Sequence, residues 1–276
     1  MKPAPFAYVR PQSLSDALAA LAEAPDAKVL AGGQSLVPLL SMRLAAPGTL
    51  VDINGLPGLA DVTVTDDGVR IGALARHADV LASADVRRVQ PLVTMALENV
   101  AHPTIRNRGT TVGSLVHADA AAEMPVVLML LGGSVDVESA ARGRRTIRAE
   151  ELFLGPLESS VAPDEIAVGA FFPALAKGGG VAFEEIARRH GDYALCGVAA
   201  LVDGDTVRAG YLSVSDVPTV VDLSGVAEDR WGDAALEQLD PADDIHATAD
   251  YRAHLARVLT ARVVRAAYDD AKARAA

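Results

Sequence analysis

The residues Lys28-Val29-Leu30 make a short strand pattern that stops at Gly32-Gly33, and a helical pattern through Leu36, Leu39 and Leu40 opens at Ser35. This is a strand, glycine turn, helix unit. Several backbone N–H groups and the positive end of a helix dipole converge at such a turn, where a phosphate can sit. The side chains of Gln34 and Ser35 add donors. No Gly-Lys-Ser/Thr follows, so it is not a Walker loop, and it lacks the glycine spacing of a Rossmann fingerprint. Taken alone, it reads first as a plain tight turn, because glycine pairs commonly punctuate strands.

With 276 residues, half of them hydrophobic, the chain can bury a large core and build two or three lobes. Its net charge of −11 argues against nucleic acid as a partner, since no counterion-releasing basic face is available. The longest uncharged apolar stretch, residues 124–135, holds 12 residues with a proline and two glycines, well short of the roughly 18 that span a bilayer. Pro3, Pro5 and Pro11 leave no room for a secretory apolar segment, and one cysteine cannot make an internal disulfide, so a cytoplasmic address is expected.

Along the chain, Ser13-Leu14-Ser15-Asp16 has the form of a capping box, with Leu14, Ala17, Leu18 and Leu21 following at helical spacing. Residues 50–53 and 61–73 read as strands, the latter folded back at Asp66-Asp67-Gly68. A helix is predicted over about 87–100, and an irregular connection over 102–118. Asp119 is placed to cap a helix that carries Pro125 near its first turn and ends at Gly132-Gly133, ahead of a strand over 134–138. Lys177-Gly178-Gly179-Gly180 separates two patterned regions and suggests a domain break. Beyond it come three strands, 181–187, 193–203 and 207–214, then helices near Ala234 and from Tyr251 onward. The last helix has Tyr251, Leu255, Val258, Leu259 and Ala266 on its packed stripe.

Residues 104–115, which include Arg106, Arg108, Gly109, Thr110, Thr111, Val112, Gly113 and Ser114, combine hydroxyls, glycines and arginines in a form that can wrap an anion. An ordinary surface loop whose arginines pair with neighbouring acids fits them as well. Two such loops together favour a diphosphate held between lobes, because a diphosphate needs donors from more than one direction. Cys196, in a buried-strand pattern, reads as a small core residue. No nucleophile elbow is visible, and His246 and His254 do not share a helical face, so hydrolysis and a protein metal site are both unsupported.

Three segments then carry a resemblance: Ala31-Gly32-Gly33-Gln34-Ser35-Leu36; Ile105-Arg106-Asn107-Arg108-Gly109-Thr110 running on to His117-Ala118-Asp119; and Arg188-Arg189-His190-Gly191-Asp192-Tyr193-Ala194. Together with Asp244-Ile245-His246-Ala247-Thr248-Ala249-Asp250-Tyr251-Arg252, they resemble the FAD-binding medium subunit of molybdenum hydroxylases, a family that includes xanthine, carbon monoxide, aldehyde and N-heterocycle dehydrogenases. The resemblance covers nearly the whole chain in order.

The resemblance implies an α+β flavoprotein with a two-lobe, PCMH/VAO-like FAD-binding domain over 1–176 (lobes about 1–56 and 57–176). A C-terminal domain over 177–276 would hold a three-stranded sheet plus helices. It implies that Leu30, Ala31, Gly32, Gly33, Gln34, Ser35 and Leu36, with Thr110, Thr111, Val112, Gly113 and Ser114, hold the pyrophosphate of FAD. Glu123 would lie on the ribose or adenine side and Tyr193 by the isoalloxazine ring, although Tyr193 also suits a core position on a strand. Partners would be a small subunit with two [2Fe-2S] clusters and a large subunit with the molybdopterin cofactor, arranged as a dimer of heterotrimers. The chain departs from many relatives at Val112, which replaces a glycine, and at Glu184 and Glu185, where a lysine is common; Gln34 replaces the histidine common in the carbon monoxide branch. A self-sufficient flavin oxidoreductase of the same fold, and an assembly subunit that has lost FAD, are the alternatives. Val112 is the one feature that supports the latter.

Overall fold

The computed structural model describes residues 2–276. The first lobe is a parallel three-stranded sheet in which Thr49–Asp52 lies between Ala7–Val9 and Ala27–Leu30. Parallel strands need crossover connections, and helices Leu14–Glu23 and Leu36–Met42 lie in them. The Ser13 hydroxyl accepts from the Asp16 amide at 3.1 Å, as the capping box predicts, and Ala17, Leu18 and Leu21 pack in one cluster with Val51 and Ile53. Leu30 ends its strand at the glycine pair, with the Ile53 amide donating to its carbonyl at 3.1 Å.

The second lobe is an antiparallel five-stranded sheet in the order Val62–Thr65, Gly68–Gly72, Glu165–Pro173, Ser134–Ser139, Gly143–Arg148. Its first two strands form the hairpin expected at Asp66-Asp67. Leu92 and Leu97 of helix Pro91–Asn99, Leu115 of helix Thr111–His117 and Leu128 of helix Glu123–Leu131 share its core with Phe172.

The C-terminal sheet contains the three expected strands, Gly180–Ala187, Ala194–Asp203 and Thr206–Leu212, and adds a fourth at the edge, Thr219–Asp222. Alternate residues of the strand Ala194–Asp203 enter different cores. Ala199 and Leu201 pack with the second lobe, while Cys196, Val198, Ala200 and Val202 pack under helix Ala249–Ala275. Burial on both faces explains why this strand is apolar almost throughout instead of alternating.

Four sequence expectations need correction. The helix over 87–100 is two helices, Ala84–Val89 and Pro91–Asn99, because Pro91 has no N–H to continue the first and instead starts the second. The connection over 102–118 holds helices Pro103–Arg106 and Thr111–His117, the latter capped by Thr110, whose hydroxyl accepts from the Gly113 amide at 3.1 Å. Asp119 does not cap the next helix; Ala122 takes that position, and Asp119 accepts from the Ala121 amide to close the turn before it. On the last helix, Tyr251, Val258 and Ala266 face outward, while Leu255, Ala256, Leu259, Val263 and Ala267 are buried. Leu255 and Leu259 of the expected stripe are therefore buried and its other three members are not; near the end of the buried side helix and sheet come close, where a methyl group on Gly180 would collide with the Ala267 carbonyl.

Candidate functional site

The two glycine loops meet. A methyl group on Gly32 would lie 2.5 Å from the Arg108 carbonyl oxygen and 2.9 Å from the Gly109 Cα, so the first loop seats its backbone directly on the second. Gly33 adopts φ +73°, a left-handed conformation that favours glycine. The Gln34 side chain donates to the Gly32 carbonyl at 3.2 Å. Ser35 occupies the N-cap position of helix Leu36–Met42 without making a side-chain cap. Among the described residues, the backbone N–H groups of Gly32, Gly33, Gln34 and Ser35 make no hydrogen bond to other backbone atoms.

In the second loop the tight spot is Gly113, where a methyl group would sit 2.5 Å from the Thr110 hydroxyl that caps the helix. Val112, which replaces a glycine of many relatives, is 2% exposed and points into the core of the second lobe, so its bulk is spent on packing, away from the loop surface. His77 lies beneath this loop and was not singled out by the sequence. Its Nδ1 is 3.2 Å from the Thr111 hydroxyl, and burial, with Arg106 nearby, pulls its pKa down to about 4, so a neutral imidazole supports the loop.

The turn over 188–193 lies against the start of the second loop: a methyl group on Gly191 (φ +85°) would be 2.7 Å from His102 Nδ1 and 2.9 Å from the Ala101 carbonyl. Tyr193 precedes the strand that begins at Ala194 and is 62% exposed, which removes the core reading. Its hydroxyl is the enclosed end; burial, then the charges of Asp119 and Glu123, push the phenol up to about 12.

Glu123 opens helix Glu123–Leu131 and is 8% exposed. Burial and then the charge of Glu185 push its carboxyl up to about 8. Glu185 is pushed up to about 7 by burial, and its Oε2 is buried with no hydrogen-bond partner. Its neighbour Glu184 instead pairs with Arg262 of the last helix, as alternation along a strand directs. Glu123, Tyr193, Asp119 and Glu185 therefore form an acidic cluster, with Asp119 and Glu123 just past the end of helix Thr111–His117.

The donor set suits a ligand with two kinds of group. Unengaged N–H groups at a seam between lobes suit a diphosphate, and the unpartnered Glu185 Oε2 beside the Glu123 carboxyl suits a sugar-type hydroxyl. FAD carries both, so the residues present fit it. Among the described residues, no group of three or more His, Cys, Asp or Glu side chains is arranged to hold a metal ion.

Comparison with known proteins agrees with this chemistry. Residues 4–175 match the family described as the FAD binding domain in molybdopterin dehydrogenase. The chain is 41% identical to the 6-hydroxypseudooxynicotine dehydrogenase complex subunit alpha of Paenarthrobacter nicotinovorans, over 96% of this chain and 95% of that one. It is 40% identical to the caffeine dehydrogenase subunit beta of Pseudomonas sp. strain CBB1, over 98% and 97%. A chain in the carbon monoxide dehydrogenase structure from Hydrogenophaga pseudoflava superimposes with a TM-score of 0.91 at 32% identity, covering 98% of this chain and 99% of that one.

Proposed function

The chain belongs to the family of FAD-binding domains of molybdopterin dehydrogenases, and from that premise we propose that it is the medium subunit that carries electrons through FAD in a molybdenum hydroxylase complex. In this reading a large subunit with the molybdopterin cofactor oxidises the substrate, a small subunit relays electrons through two [2Fe-2S] clusters, and this chain delivers them to an external acceptor. Bound flavin supplies the redox chemistry, and the chain's own residues bind and orient it. Leu30 to Leu36 and Thr110 to Ser114 would cradle the pyrophosphate, Glu123 would accept from ribose-side hydroxyls, and Tyr193 would offer its open ring face to the isoalloxazine.

The observation that carries the reading is the seating of Gly32 against Arg108, which brings two donor-bearing loops from different lobes together. The chain cannot supply the clusters itself, because a [2Fe-2S] cluster takes four thiolate ligands and the one cysteine, Cys196, is buried with its thiol pushed up to about 12. Val112, the one support for a subunit without FAD, packs in the core and leaves the loop free. The same reading divides the chain near residue 177, assembles it as a dimer of heterotrimers and places it in the cytoplasm. No helix among the described residues is long and apolar enough to cross a membrane.

Purified alone or with its complex, the chain is expected to show a visible flavin spectrum, or to acquire one when FAD is added. Failure of FAD to bind in both forms refutes the assignment.

A further inference from the structure

Between the two glycine loops lies a polar chain that the sequence did not announce. Arg76 precedes helix His77–Ala82 and bridges to Thr110. Its Nη1 donates to the Arg108 carbonyl at 2.7 Å, and its Nη2 donates to Asn54 Oδ1 at 2.8 Å. Asn54 Nδ2 in turn donates to the Ala31 carbonyl at 2.7 Å and to Asp52 Oδ1 at 2.6 Å. Asp52 is buried, also accepts the Asn54 amide at 2.9 Å, and receives the Tyr8 hydroxyl. With the Leu30 carbonyl also accepting from Asn54 Nδ2 at 3.4 Å, these partners leave Asn54 one orientation, its amide nitrogen facing acceptors and its oxygen on the guanidinium.

This arrangement sets the direction of the loop peptides. In a trans peptide the carbonyl and the following N–H point to opposite sides. With the Ala31 carbonyl held by Asn54, the Gly32 N–H faces away from Asn54. With the Gly109 carbonyl held by the His77 amide at 3.0 Å, the Thr110 N–H also faces away from its holder. Carbonyl oxygens, which would repel a diphosphate, are thus held back at both loops. We propose that Arg76, acting with Asn54, is a positioning residue that holds the two loops in register for the diphosphate of FAD. The inference rests on the FAD reading above. It assigns Arg76 a role through its fork of donors, which spans two acceptors in different lobes, a geometry that lysine cannot reproduce.

The test titrates FAD and ADP into the full chain and its R76K, R76A, N54A and N54A/R76A variants, together with melting of the FAD-free protein and 31P spectra of bound FAD. Each single variant, R76K included, is expected to bind both ligands roughly tenfold or more weakly, the usual effect of losing a hydrogen bond to a charged group. The double variant should lose little beyond the worse single, because the two residues act as one unit. The 31P shifts should move in R76K while the melting temperature of the FAD-free protein stays near native. Native-like affinities in R76K and R76A overturn the proposal, as does a fall in melting temperature that accounts for weaker binding with 31P shifts unchanged. If the native chain itself binds no FAD, the FAD reading fails and takes this inference with it; native binding with unaffected variants defeats this inference alone.

Discussion

Two buried acidic sites in this molecule are solved in opposite ways. Glu165, at the start of the central strand of the second lobe, accepts from Arg145 Nε at 2.7 Å and Nη2 at 2.8 Å, from Arg142 at 3.3 Å and from the Ala162 amide at 2.9 Å. The Arg145 bonds outweigh burial and hold its carboxyl down at about 2. Glu123 and the Oε2 of half-buried Glu185 have no arginine donor, and burial carries the two carboxyls up to about 8 and about 7. Burial is common to both sites; the difference is the supply of donors. Where the fold supplies them, the acid is a finished structural joint. At the other site the Glu185 Oε2 has no partner, and both carboxyls are pushed toward the neutral form.

The largest expected effect comes from opening the finished joint. Arg145→Ala removes two charge-assisted bonds from a buried carboxylate, and about 2 kcal/mol of stability should be lost in urea unfolding, a figure reduced because the arginine is half exposed. Because the folded pKa of Glu165 lies below its ordinary 4.5, its contribution is present above about pH 4.5 and is lost as pH falls towards 2. The variant should therefore lose most of that acid-side slope. A stability change below about 0.5 kcal/mol would mean that Glu165 is not held this way.

Glu185→Gln addresses the unfinished site and should act with the opposite sign. A carboxyl whose folded pKa is raised stabilises the fold most below its unfolded value, and this contribution is lost as pH rises through the folded pKa. The Glu185 contribution should therefore be lost between about pH 4.5 and about pH 7, and the glutamine variant of the FAD-free chain should be more stable than native by about 1 kcal/mol at the upper end and equal to it at the lower. Unfolding curves at the two ends check this; a variant less stable at high pH would show that Glu185 has a donor after all.

Glu184→Gln, one residue away, should change least. Its pair with Arg262 is solvent-screened, so less than about 0.5 kcal/mol is expected at any pH. A large effect there would blur the contrast between the two faces of the strand Gly180–Ala187.

Much of the fold was legible because it is written in local chemistry. Ser13 caps its helix, Asp66-Asp67 turns its hairpin and Gly132 ends its helix in the left-handed conformation, all through residues adjacent in sequence. The two helices inside residues 102–118 escaped notice because Thr110 and Gly113 read as loop residues until the hydroxyl of one is seen to cap the amide of the other. The stripe of the last helix was legible at Leu255 and Leu259 but not at Tyr251, Val258 and Ala266, because periodicity alone does not say which side the sheet covers.

At the candidate site, the sequence by itself marked two glycine-bearing loops, and the resemblance added an acid at Glu123 and an aromatic at Tyr193, ahead of the strand Ala194–Asp203. A count of one cysteine does not depend on folding, and it rules out a four-thiolate iron–sulfur cluster held by this chain alone. Only the tertiary structure decided how these parts face one another. Gly32 touches Arg108 across 76 positions of chain. Arg76 bonds the second loop and Asn54 the first, Val112 turns inward, and Glu184 and Glu185 part to opposite faces of one strand. Residue type limits what a side chain can donate or accept, but its partner is set by which distant backbone is brought within about 3 Å of it, and that is a property of the packed whole.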